Sequence, residues 1–206
     1  MFRRKAALPD PVRRQIREIT TERVLAWAQG QRASLIDEDE ESADVVRATV
    51  EDSPTETLEY VVGDDTVTVA ATARRLIAVA SGVGGESGSV EGFWWHEIDR
   101  AFWVAEERII RVSFTTADEE LILQVGVDLP MEFLSILRDR VENSVVLSET
   151  IALTSAENVR VAVRRDEVGD IFVEVLYDDG IDPNHPVVMK KVAPVVARLR
   201  EVSGAR

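Results

Sequence analysis

The chain has no cysteine among its 206 residues. That removes disulfides, thiolate zinc sites and cysteine nucleophiles together. It has two histidines, His96 and His185, too few for a multi-histidine metal cage. Aromatic residues are 6% of the chain, and lysine occurs only at positions 5, 190 and 191. Long apolar runs are missing too, so nothing approaches the roughly 18 residues of a membrane helix. The opening Met1-Phe2-Arg3-Arg4-Lys5 begins like a secretory signal, but Pro9-Asp10-Pro11 stands where an apolar core of about 7–15 residues would be needed. The expectation is a cytoplasmic protein. Positive charge is in deficit: the formal net charge is −14, which disfavours nucleic acid as a partner. What is present is a hydrophobic fraction of 45%, enough for a substantial core.

The charge is unevenly placed. Residues 1–32 sum to +5, residues 35–65 to −11, and the rest to −8. The run Asp37-Glu38-Asp39-Glu40-Glu41 repels itself and reads first as a solvated loop. Its second reading is an acidic docking segment for a basic partner. The basic arm offers Arg3, Arg4, Lys5, Arg13, Arg14 and Arg17. These are candidate contacts to an anionic membrane surface, each charge worth up to about 1 kcal/mol there. Arm and belt could also pair between two copies of the chain.

Asp10 as cap and Pro11 in the first turn predict an N-terminal helix ending near Thr20-Thr21. Glu22–Ala28 alternates as a strand, and Gly30 reads as its turn. Short strands are then predicted at Leu58–Val62, Thr66–Thr72, Arg74–Ala80, Val90–Ile98, Ala101–Val104, Ile109–Thr115 and Glu120–Val125. Gly63-Asp64-Asp65 separates the first two, and the glycine-rich Ser81–Ser89 is a loop. Hairpin turns are expected at Glu106-Glu107 and Asp118-Glu119. The period then changes: Phe133, Leu134, Leu137 and Val141 mark a helix over Pro130–Ser144. Val146–Leu153, Val159–Arg165 and Ile171–Tyr177 read as strands, and Asp178–His185 as a loop. Pro186–Val202 reads as an amphipathic helix that Pro194 should kink or start.

Three segments carry a resemblance. Thr66-Val67-Thr68-Val69-Ala70-Ala71-Thr72-Ala73-Arg74-Arg75-Leu76-Ile77 resembles the strand signature of bacterial pleckstrin-homology-like (PH/GRAM-type) domains. Phe93-Trp94-Trp95-His96-Glu97-Ile98-Asp99-Arg100 resembles their next strand, and Phe133–Val141 their C-terminal helix. The resemblance covers about residues 20–145, and the whole chain is similar to bacterial proteins in which such a domain precedes a short strand–strand–helix tail. It implies an α+β fold: a partly open antiparallel β-barrel with a capping C-terminal helix, plus a small strand–strand–helix extension packed on it. The boundaries expected are 1–21 for the basic helix, 22–145 for the PH-like domain with an acidic loop at about 35–57, and 146–206 for the extension. Lipid-binding members resemble one another in a basic first hairpin. Here only Arg23 and Arg32 stand there, with the acidic belt next to them, so no binding residue carries over.

Catalytic motifs fail one by one. His96-Glu97-Ile98-Asp99-Arg100 has arginine where a zinc protease needs its second histidine. Gly82-Val83-Gly84-Gly85-Glu86-Ser87-Gly88 lacks the Gly-Lys-Ser/Thr of a phosphate loop. Gly180 comes too early in Tyr177-Asp178-Asp179-Gly180 for a calcium loop. No serine stands in a Gly-x-Ser-x-Gly elbow. Glu97 and Asp99, two apart on an expected strand, are the remaining carboxylate pair, and the weakest reading is an enzyme built on them. Trp94, Trp95 and Trp103 lie within ten residues. They are candidate partner contacts together with Asp37, Glu38, Asp39, Glu40 and Glu41. The expectation is therefore a non-enzymatic interaction module for a protein partner, with no cofactor, and with membrane recruitment through the basic arm as the alternative.

Overall fold

The computed structural model describes residues 7–35, 45–49, 57–81, 88–116, 120–155 and 157–205. The fold is α+β, as the sequence predicts. Helix α1 spans Asp10–Ile19. Eight strands follow: β1 Ala26–Leu35, β2 Val45–Thr49, β3 Thr57–Ala71, β4 Arg75–Ser81, β5 Val90–Trp94, β6 Ile98–Val104, β7 Ile109–Phe114 and β8 Glu120–Val125. Helix α2 (Met131–Ser144) leads to β9 Val145–Ala152, β10 Asn158–Arg165, β11 Ile171–Tyr177 and helix α3 Pro186–Ser203. The chain divides into two compact units, Met1–Phe93 with Ile98–Arg138, and Trp94–Glu97 with Asp139–Arg206. The division falls inside α2.

The first unit is an antiparallel sheet in the order β5-β4-β3-β1-β8-β7-β6. With β2 set aside, this is a seven-strand meander whose first strand pairs with its last. It is not a closed barrel: β5 and β6, consecutive in sequence, are its two edges. The sequence predicts two strands where β3 runs unbroken for 15 residues. One edge of β3 carries both β2, at residues 57–61, and β4, at residues 66–71. Its other edge pairs with β1, whose register shifts between Gln31 and Ala33. Gly63-Asp64-Asp65 fits that shift as an irregularity within the strand, not as a turn.

Gly30 is likewise no turn. It sits inside β1, paired with Val67 on one side and Val125 on the other. A Cβ there would stand 2.5 Å from the Gln124 carbonyl oxygen, so glycine permits the close approach of β8. β1 itself starts at Ala26, four residues later than the alternation suggests.

The two faces of this sheet are covered differently. Ala28 pairs with Val69 and Gly30 with Val67, so these share one face, and Ala28, Val67 and Val69 are buried. Trp27 pairs with Ala70 on the opposite face. There Leu8, Val12 and Ile16 of the N-terminal segment pack on Ala70, Ile77 and Val79, with Trp27 beside them. Asp10 is the first residue of α1 and not its cap; Pro9 takes the cap position and supplies no side-chain capping bond. A second apolar cluster joins Ala33, Tyr60, Val104, Ile109 and Ile122.

The second unit is a three-stranded antiparallel sheet in the order β9-β10-β11, with α3 across one face. Val159, Val161 and Val163 alternate towards α3 and meet Val188, Val192 and Leu199. The turn 166–170 is tied by one carboxylate: Asp166 Oδ1 accepts from the amides of Val168, Gly169 and Asp170 at 2.8–2.9 Å. α3 begins at Pro186 and continues through Pro194, which is exposed. His185 is more than a loop residue, because it caps α3: its Nδ1 accepts from the Val187 amide at 3.3 Å. Among the described residues no helix is long and apolar enough to cross a membrane.

Candidate binding groove

A groove of about 1350 Å³ opens on the first unit. Three stretches build it: α1, the connection from α1 into β1, and the β8–α2 connection. Helix α1 stops at Thr20, whose backbone is extended. The Thr20 hydroxyl accepts from the Glu22 amide at 3.1 Å. Glu22 in turn accepts from the Arg74 amide at 3.0 Å, and the Leu25 amide donates to Ala71 at 2.8 Å. These bonds fix residues 20–25 along the end of β3. On the far side Gly126 opens the connection to α2, where the Leu129 amide donates back to its carbonyl at 3.3 Å.

The lining is mixed. Leu8, Ile16, Val24 and Trp27 supply apolar surface, and Val127, 81% exposed, stands at the opposite lip. Arg13, Arg17 and Arg23 make the α1 side basic; Asp128 and Glu132 make the other lip acidic. Arg13 is partly committed, donating to the Leu8 carbonyl at 3.1 Å and standing 3.5 Å from Asp10. Arg17 and Arg23 form no ion pair among the described residues. This arrangement can hold an apolar chain and orient it by charge.

Arg13 and Arg17 come to the groove, whereas Arg14 is exposed on α1 outside its lining. Arg3, Arg4, Lys5 and the run Asp37, Glu38, Asp39, Glu40 and Glu41 lie outside the described residues, as do Asp118-Glu119 and most of the 81–89 loop. The tryptophans are divided between the two units. Trp103 is half-buried on β6 in the first unit, while Trp94 and Trp95 belong to the second. The expected strand over Val90–Ile98 breaks at a 3-10 turn, Trp95–Glu97, which removes the predicted alternation of faces. Trp95 is 6% exposed and is a core residue, not an accessible anchor.

Glu97 and Asp99 each have a contact of their own. Glu97 accepts from the Trp94 amide at 2.7 Å, and Asp99 stands 3.3 Å from Arg100. His96 lies edge-on to Phe172, ring centres 5.7 Å apart, with Glu167 at 3.8 Å. Trp27 and Arg23 are among the groove residues to which the sequence assigns no contact role. Their one signal is position: Trp27 is the only tryptophan outside the 94–103 cluster and follows the basic helix directly.

The second unit carries its own polar centre. Arg164, fully buried, holds its Nε 2.8 Å from Glu174 Oε2 and donates through a terminal nitrogen to Ser144 at 3.2 Å. Burial pushes the Arg164 pKa down, and Glu174 partly restores it by charge and hydrogen bonding. Arg160 is lowered as well, first by burial and then by Arg164. Among the described residues no group of three or more histidine and carboxylate side chains is placed to hold a metal ion. Comparison with family models, with curated proteins and with solved structures finds no match for this chain.

Proposed function

We propose that this protein is a non-enzymatic interaction module of pleckstrin-homology-like type that binds a segment of a protein partner in the groove beside α1. The observation that carries the reading is the groove itself. At about 1350 Å³ it exceeds the roughly 300–1,000 Å³ usual for small-molecule sites. Its apolar floor lies between a basic wall and an acidic lip, so the occupant is an amphipathic segment with its acidic side chains turned towards Arg17 and Arg23. What supports the family reading is the strand order: a seven-strand meander in which β1 meets β8, followed by a helix.

The test is site-specific photocrosslinking in cells that make the protein. A benzophenone side chain is placed at Val127, on the groove lip, and in a second variant at Val202, exposed on α3. The expected result is one protein adduct of discrete mass from position 127, lost in Trp27→Ala, and absent from position 202. The same adducts from both positions, none from 127, or a lipid adduct from 127 would overturn the reading.

A further inference from the structure

The face of the sheet that carries Trp27 also carries a polar strip between its two apolar clusters. Gln31 pairs with Thr66 on β3 and with Gln124 on β8, so three polar side chains stand in one row across three strands. With Gln29 and Arg108 they line a pocket of about 480 Å³ over Gly30. The pocket shares Gln29 and Gly126 with the large groove and so continues it along β1.

Arg108 is the unusual member. Its φ is 56°, and the other described residues with positive φ, Gly169, Gly180 and Gly204, are all glycines. An L side chain is strained there and glycine is not. Arg108 is exposed and forms no ion pair among the described residues, so within them no salt bridge offsets the strain. Its backbone does have a structural role: the carbonyl accepts from the Val125 amide at 2.9 Å. Glycine would make that bond equally well. Arg108 lines the pocket together with three glutamines, whose carboxamides can donate hydrogen bonds, and its guanidinium is the feature glycine would lack.

We infer that Arg108, Gln29, Gln31 and Gln124 form a carboxylate-binding pocket, which receives an acidic side chain of the segment bound in the adjoining groove. A guanidinium offers a planar fork to a carboxylate, and the carboxamides accommodate its remaining lone pairs. The inference rests on the proposed groove only for the source of the carboxylate; the pocket's chemistry can be tested with a free one.

The probe is N-acetylglutamate α-amide, whose only carboxylate is the side chain. It is titrated at low salt into the full chain, and the side-chain amide signals of glutamine are followed by NMR. The expected result is saturable shifts at Gln29, Gln31 and Gln124 with a midpoint of about 1–10 mM, a range suited to a single small anchor. The glutamine analogue, neutral and of the same shape, gives none. Arg108→Gly abolishes the response while the thermal midpoint stays equal or rises, because the strain is relieved. Arg108→Lys keeps the charge without the fork and responds more weakly. Shifts that persist in Arg108→Gly, that appear equally with the neutral analogue, or that never saturate would overturn the inference, as would a response to inorganic phosphate with none to the carboxylate. Saturable carboxylate shifts without a position-127 adduct would keep the pocket and remove the groove reading; the adduct without the shifts would do the reverse.

Discussion

Replacing Glu174 by glutamine should loosen the second unit, and replacing Arg164 by methionine as well should restore it. Arg164 is 0% exposed, whereas the Glu174 side chain retains 17% exposure. Glutamine keeps an acceptor for the guanidinium but removes the compensating charge. Breaking a buried pair costs about 3–5 kcal/mol, and the retained acceptor places this variant near the low end, at about 3 kcal/mol. Arg164→Met removes the cation that is expensive to bury. It leaves a carboxylate that reaches water, so its cost is about 1 kcal/mol. The double variant should therefore be more stable than Glu174→Gln alone. Native-state hydrogen exchange at the β10 amides of Val161 and Val163 reads this unit directly. A loss of about 3 kcal/mol corresponds to exchange faster by roughly 100-fold or more. Unchanged exchange in Glu174→Gln, or a double variant worse than the single, would refute the view that Arg164 is a buried cation held by this carboxylate.

Gly30→Ala should destabilise the first unit by about 1–3 kcal/mol, because the new methyl meets the Gln124 carbonyl, a backbone atom that cannot rotate away. The thermal midpoint should fall by several degrees; an unchanged value would return Gly30 to the role of an open turn. His185→Ala should cost about 0.5–1 kcal/mol by freeing the Val187 amide, and His185→Ser should recover most of it. Equal stability of the alanine and serine variants in urea unfolding would show that the cap contributes nothing.

The legible parts of the fold are those whose signal is local. Phe133, Leu137 and Val141 declare α2 by spacing, and Val159, Val161 and Val163 declare β10 by alternation. The turn 166–170 announces itself through Asp166 and Gly169. The break at Trp95–Glu97 has no such mark: the residues are apolar and aromatic, as in a strand, and the 3-10 turn appears only in the fold. His185 looked idle because capping by histidine is uncommon beside serine or aspartate. The groove was illegible for another reason. Its walls come from residues 8–29 and 126–132, far apart in sequence, so no spacing rule joins Trp27 to Val127. Two of the six residues of the basic arm, Arg13 and Arg17, line it, although the sequence offers them only as candidate membrane contacts.

Two misread signals in the first unit lie at one place in the fold. Gly30 and Gly63-Asp64-Asp65 both look like turns, and both belong to the stretch where β3, β1 and β8 are paired side by side. There β1 shifts register between Gln31 and Ala33, and β8 comes within reach of Gly30. Arg108 closes the β6–β7 turn with a left-handed backbone over the same pocket. A sequence and its fold agree locally wherever stability alone is at stake, and sites of disagreement tend to be strained or functional. Here the disagreement centres on the glutamine row and its arginine. Packing alone accounts for Gly30, and pairing alone accounts for Gly63-Asp64-Asp65. Neither accounts for an arginine in a glycine conformation, which makes the Arg108 pocket the place where a ligand explains the most.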